Sequence, residues 1–145
     1  MSTDTTNRHT ITALVQDKPG VLNRISSMFR RRGFNISSLA VGKSEVASLS
    51  RMTFVVDGND KVVEQVTKHL NKLIDVIKVS DISQENIVSR ELALIRVKTN
   101  SQNRSEVMQI ASTFRTNIVD ISTDSLIIEV SGNEDKINSL HEVLK

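Results

Sequence analysis

The sequence predicts an α+β fold built from two βαββαβ units in tandem, and three observations carry that prediction. Apolar residues alternate along short runs such as Met52, Phe54 and Val56, and recur at helical spacing in others such as Val21, Leu22, Ile25, Met28 and Phe29. Runs of the two kinds follow one another in the same order twice. Finally, Ile25, Ser27, Phe29 and Arg30 of the first helical run reappear in register as Ile110, Ser112, Phe114 and Arg115, which marks an internal repeat.

The elements follow in order. Residues 9–16 are rich in β-formers and end at Asp17-Lys18-Pro19-Gly20, so they read as a strand and a turn that opens a helix. That helix is expected to stop near Arg32, because Gly33 stands where a helix C-terminal glycine belongs and Arg30, Arg31 and Arg32 suit the negative end of the helix dipole. Residues 35–41 and 49–56 read as a hairpin connected through 42–48. Residues 60–74 place Val62, Val63, Val66, Leu70, Leu73 and Ile74 on one face of a second helix, and 76–82 supply a closing strand.

After the polar stretch 83–89 the order restarts. Residues 91–98 form a strand, 104–115 a helix through Val107, Ile110, Ala111 and Phe114, and 117–121 with 126–130 a hairpin turning at Thr123-Asp124-Ser125. A last helix over 134–145 carries Ile137, Leu140 and Leu144, and no closing strand follows. The expected organisation is a tail over 1–8, a ferredoxin-like unit over 9–82, a linker over 83–89 and a second ferredoxin-like unit over 90–145 that lacks its last strand. An edge is thereby left unpaired, and the expectation is a truncated chain or a strand donated by a partner.

Composition narrows the function. With 145 residues and 38% hydrophobic content the chain can fill one ordinary core or two small ones. It has no Trp, no Tyr and four Phe, so the cores are aliphatic and stacking platforms for nucleobases are nearly excluded. RNA-recognition modules share the βαββαβ order, but they need aromatics on the central strands where this chain has Met52, Phe54 and aliphatic residues. The net charge of +2 is spread over intermixed signs, so no nucleic-acid partner is expected. The absence of cysteine removes disulfides, thiolate metal sites and thiol catalysis, and fits a reducing compartment. No apolar run approaches the roughly 20 residues of a membrane span, and residues 1–8 have the pattern of no targeting signal; a soluble intracellular chain is expected. His9, His69 and His141 are dispersed without a metal-ligand spacing, and the serines lack a recognisable catalytic arrangement, which leaves neither metal nor catalytic residues. Asp57-Gly58-Asn59 is read as a strand-to-helix turn.

The stretch 17–41 says most about what the chain does. The turn at Pro19-Gly20-Val21 opens a helix, and a helix N-terminus presents unpaired N–H groups and partial positive charge that can hold a carboxylate. Gly20 lets a ligand approach the backbone and permits positive φ. Asn35 is expected to bring amide donors and an acceptor to the same end of the sheet, while Val21, Leu22 and Ile36 can surround an aliphatic side chain. Each residue also has an ordinary reading: Pro19 and Gly20 as a common helix start, Asn35 as a turn residue after Gly33, and Arg30 to Arg32 as a solvated helix end.

The run PGVLNRISSMFRRRGFNISSLAVG, followed by LSRMTFVV and RELALIRVK, resembles the small regulatory subunits of acetolactate synthase (acetohydroxyacid synthase) over essentially the whole chain. The resemblance implies that the first unit is an ACT domain and that the chain is no enzyme. It implies a homodimer, or a larger assembly, through ACT domains, with a branched-chain amino acid, valine foremost, bound at the interface. The partner is then the large catalytic subunit, which this chain activates and places under feedback inhibition. Thiamine diphosphate, magnesium and FAD are expected in that partner and no cofactor in this chain, with a cytoplasmic location or the plastid stroma. Carried over position by position, the effector site comprises Asp17, Gly20, Val21, Leu22, Asn35 and Ile36. Relatives often carry Asn where Asp17 stands, so this carboxylate pairs with the ligand ammonium or caps the helix. The second unit has no Pro-Gly at its matching turn, 99–104, and is expected to be structural or partner-binding.

Overall fold

The computed structural model describes residues 8–145, and all but the last residue of the expected N-terminal tail lies outside them. Two compact units divide the chain between Asn86 and Ile87.

The first unit runs β1 (Arg8–Gln16), α1 (Val21–Arg32), β2 (Asn35–Lys43), β3 (Leu49–Asp57), α2 (Asp60–Asn71) and β4 (Val76–Asp81). Its strands form one antiparallel-paired sheet in the order β2-β3-β1-β4, which leaves β2 and β4 at the edges. Strict alternation drives the packing. Ile11, Ala13 and Val15 of β1 and Met52, Phe54 and Val56 of β3 are buried on one face, where α1 contributes Ile25, Met28 and Phe29 and α2 contributes Val63, Val66 and Leu70. The few aromatics cluster there: Phe29 meets Phe54 edge-on with ring centroids 5.2 Å apart.

Helix α1 ends as its sequence dictates. Gly33 takes a left-handed conformation (φ 71°), and the N–H groups of Gly33 and Phe34 return to the carbonyls of Arg30 and Phe29. The end of α2 differs from expectation. Its apolar period runs on through Leu73 and Ile74, yet the α-helix stops at Asn71. Lys72 and Leu73 instead donate to His69 and Leu70 in a tighter turn. Leu73 still packs on the core, whereas Ile74 is 90% exposed.

The second unit repeats the pattern as β5 (Glu91–Lys98), α3 (Arg104–Thr113), β6 (Asn117–Ile121), β7 (Ser125–Gly132) and α4 (Glu134–Leu144). Its sheet has the order β5-β7-β6, with Leu126, Ile128, Val130, Val107, Ala111 and Leu140 at the centre of its core. Helix α3 is shorter than predicted because Arg115 adopts positive φ (57°) and ends it. Among the described residues no strand lies on the outer edge of β5, the place that β4 takes beside β1. The repeat extends to capping: the side chains of Asn59 and Asn133 accept from the N–H groups of Val62 (3.0 Å) and Lys136 (2.9 Å). Asp57-Gly58-Asn59 is thus the entrance to α2.

Candidate functional site

The turn between β1 and α1 is tied to its surroundings by backbone bonds. Asp17 N–H donates to the Ser48 carbonyl (2.8 Å), and Gln16 N–H to that of Asp75 (2.8 Å). Gly20 is the N-cap of α1 in the left-handed region (φ 86°, ψ −10°). A Cβ there would meet only Nη2 of Arg24, at 3.7 Å, so conformation and not space demands glycine. The helix start carries no side-chain cap and no acidic residue in its first turn. Val21 N–H donates back to the Lys18 carbonyl (3.4 Å), which leaves the N–H groups of Leu22 and Asn23 as donors, with the positive end of the helix dipole behind them. Asp17 does not cap the helix, which removes one of its two expected roles.

The apolar residues divide between the two flanks of α1. Leu22 and Ile36 line a cavity of about 160 Å³ with Phe29, Leu39, Met52 and Phe54, beside the edge strand β2. Val21 lines a separate cavity of about 150 Å³ with Arg24, Leu73 and Asp75, on the β4 side.

Asn35 is not at the end of the sheet expected for it. It stands opposite Asp57 of β3, which in turn stands opposite Arg8 at the start of β1. The Gly20 turn follows Gln16 at the other end of β1, eight residue steps or roughly 27 Å away at about 3.4 Å per residue. The cause is topological: α1 carries the chain back along β1, so β2 starts where β1 starts. The signal was present, since a strand, a returning helix and a second strand in one sheet place the two strands parallel. Asn35 is also engaged, because its Nδ2 donates to the Asp57 carboxylate (2.7 Å). That bond assigns the amide: a carbonyl oxygen facing a carboxylate would be repelled, so Oδ1 is the atom turned to other partners.

The roles of two buried residues escaped the sequence reading: Asp75 beside the turn and His9 at the opposite end of β1. Asp75, 7% exposed, sits between the end of α2 and β4. Its carboxylate takes Nη1 of Arg24 at 2.7 Å and lies 3.9 Å from Nζ of Lys18. A charge pair so distant in sequence belongs to no periodic pattern and leaves no local signal. His9 is buried between Asp60 (3.3 Å) and Asp81 (3.4 Å), at angles that form no hydrogen bond. Among the described residues there is no group of three or more His, Cys, Asp or Glu able to hold a metal, and no helix long and apolar enough to cross a membrane.

Comparison with known proteins places both units. A family model described as "AHAS small subunit-like ACT domain" matches residues 11–78, and one described as "Small subunit of acetolactate synthase" matches residues 90–145. The chain is 56% identical over 138 residues to a protein of Archaeoglobus fulgidus named "Probable acetolactate synthase small subunit", spanning 95% of this chain and 86% of that one. It is 51% identical over 140 residues to the acetolactate synthase small subunit of Mycolicibacterium smegmatis, spanning 97% and 82%. The crystal structure of the acetolactate synthase small subunit from Thermotoga maritima matches with a TM-score of 0.88 at 41% identity, covering 94% of this chain and 86% of that chain.

Proposed function

Because the chain belongs to the acetolactate synthase small-subunit family, with that family's ACT domain as its first unit, we propose that it binds a branched-chain amino acid between the ACT domains of two copies and so imposes feedback inhibition on the large subunit that it activates. It is a regulatory subunit; catalysis resides in the large subunit, which in this reading also holds the thiamine diphosphate, magnesium and FAD. Valine is the first effector to test.

One observation supports the shared site above others: the residues assigned to it stand at opposite ends of the same sheet, at Gly20 and at Asn35. Strand β2 is an edge, exposed along nearly its whole length, with Leu39 46% and Val41 47% exposed. If β2 of one copy pairs antiparallel with β2 of another, Asn35 of each lies opposite the end of β2 in the other. That end pairs with Ser50 of β3, next to Leu49, which faces Gln16 at the turn. A dimer of this kind assembles from two copies what neither holds alone, and it covers an edge that would otherwise invite uncontrolled pairing.

Within such a site the groups divide by charge. The effector carboxylate meets the N–H groups of Leu22 and Asn23 at the start of α1. The ammonium meets Oδ1 of Asn35, whose Nδ2 is held by Asp57, together with the Asp17 carboxylate. The aliphatic side chain enters the cavity lined by Leu22 and Ile36. Mixing the chain with the large subunit from the same source, and assaying turnover with valine, leucine and isoleucine in turn, tests this reading. Activation that one of the three reverses is expected; a folded chain that changes turnover under no condition would overturn it.

A further inference from the structure

The turn has a full cation at its side as well as a helix dipole. Arg24, one turn into α1, donates its backbone N–H to the Gly20 carbonyl (3.0 Å), and its guanidinium folds back along the helix start. Nη1 is fixed 2.7 Å from the Asp75 carboxylate, and Nη2 lies 3.7 Å from the point where a Gly20 Cβ would stand. The guanidinium is planar and rigid, so anchoring one nitrogen also sets the direction of the others. The Asp75 side chain is only 10% exposed, and a carboxylate so buried costs stability unless it stays paired, which keeps Arg24 from swinging into solvent. The Arg24 side chain itself is 54% exposed and remains open to a ligand. Lys18, at 3.9 Å from Asp75, is too loosely held to do the same.

We infer that Arg24 binds the carboxylate of the effector and that Asp75 is the positioning residue that aims it, an inference that rests on reading residues 17–22 as the effector turn. A guanidinium with one nitrogen already committed recognises a carboxylate by a charge-assisted bond from a preset direction. The demand that follows is chemical: the site discriminates an amino acid from its amide through Arg24. Asp75 also accepts Gln16 N–H through its carbonyl, so one residue holds both the strand that enters the turn and the arginine beside it.

The test uses the full chain assembled with the large subunit and reads inhibition midpoints for the inhibiting amino acid and for its amide, valine against valinamide or leucine against leucinamide. Arg24→Gln is expected to raise the amino-acid midpoint at least tenfold while leaving the amide midpoint within about threefold, so the ratio between them collapses. Asp75→Asn should shrink the same ratio less, and Asp75→Glu should restore part of it. A ratio that survives in Arg24→Gln, even with weaker inhibition by both compounds, would reduce the pair to a structural tie and overturn the inference. If Arg24→Gln does not fold, Arg24→Lys decides, since it keeps the charge and loses the fork. A partial fall in the ratio supports the inference, and an unchanged midpoint and ratio defeat it. Failure of the effector reading itself looks different: the wild-type assembly would respond to none of the three amino acids.

Discussion

Placing a carboxylate at position 20 tests where the effector carboxylate sits. Gly20→Asp puts an L residue at φ 86°, which costs about 1–2 kcal/mol, toward the lower end for aspartate. The added Cβ meets nothing closer than Arg24 Nη2 at 3.7 Å, and an exposed pair of the new carboxylate with that guanidinium would return about 0.2–1 kcal/mol. The net loss is near 1 kcal/mol, or about 4–8 °C in melting temperature for a domain of this size, so the protein stays folded. The effect on the ligand is larger. Two carboxylates about 4 Å apart repel by about 4 kcal/mol at an effective dielectric of 20, which at 1.4 kcal/mol per decade is nearly a thousandfold in affinity. Calorimetric titration of the assembled protein, beside an inhibition assay, should show no effector response up to concentrations that saturate the wild type, while the large subunit is still activated. Gly20→Ala serves as the control, since it carries the strain without the charge and should lose far less affinity. An inhibition midpoint in folded Gly20→Asp within tenfold of wild type would show that the effector carboxylate does not approach this turn.

Other consequences can be measured directly. Asn35→Ala should weaken effector binding by about 1.5–3 kcal/mol in calorimetry, the worth of a hydrogen bond to a charged group; an unchanged affinity would return Asn35 to a strand-start role. Gly58→Ala should destabilise the first unit by more than about 1 kcal/mol in urea unfolding, because φ is 153° and the added Cβ would stand 2.7 Å from Val62 Cγ1. A neutral result there would mean that the entrance to α2 relaxes freely. Burial alone raises the Asp81 carboxyl pKa, but hydrogen bonds from the Ser83 hydroxyl (2.6 Å) and N–H (3.0 Å), with His9 nearby, outweigh it and hold the group below its ordinary value. A depressed carboxyl stabilises the fold above its unfolded pKa, and that contribution is lost as pH falls through the lower, folded one. The stability gap between wild type and Ser83→Ala should therefore be widest near neutrality and narrow below about pH 4, and a gap independent of pH would refute the link.

Much of the fold was written in local patterns. Alternation along β1 and β3 translates directly into their buried faces, and Gly20 and Gly33 bracket α1 because both need a left-handed backbone. Legibility failed where local pattern and backbone part company. Leu73 and Ile74 keep the helical period of α2, but the chain must turn there to enter β4, so one packs inward from a tight turn and the other is left in solvent. Arg115 ends α3 in a conformation that its side chain does not advertise. For the candidate site, the sequence named residues without their arrangement. The Gly20 turn stands where expected, whereas the place of Asn35 follows from strand direction, and the Asp75–Arg24 pair exists only once the segment between α2 and β4 meets the end of β1.

The separation of Gly20 and Asn35 along one sheet also bears on how defects would be inherited within an assembly. If β2 strands pair as proposed, each of the two sites would be owned jointly, its turn coming from one copy and its amide from the other. A copy altered at Gly20 joined to a copy altered at Asn35 concentrates both lesions in one site and leaves the other whole. Two defective alleles would then complement each other, and one substitution would damage both sites when both copies carry it but only one site of a pair mixed with wild type.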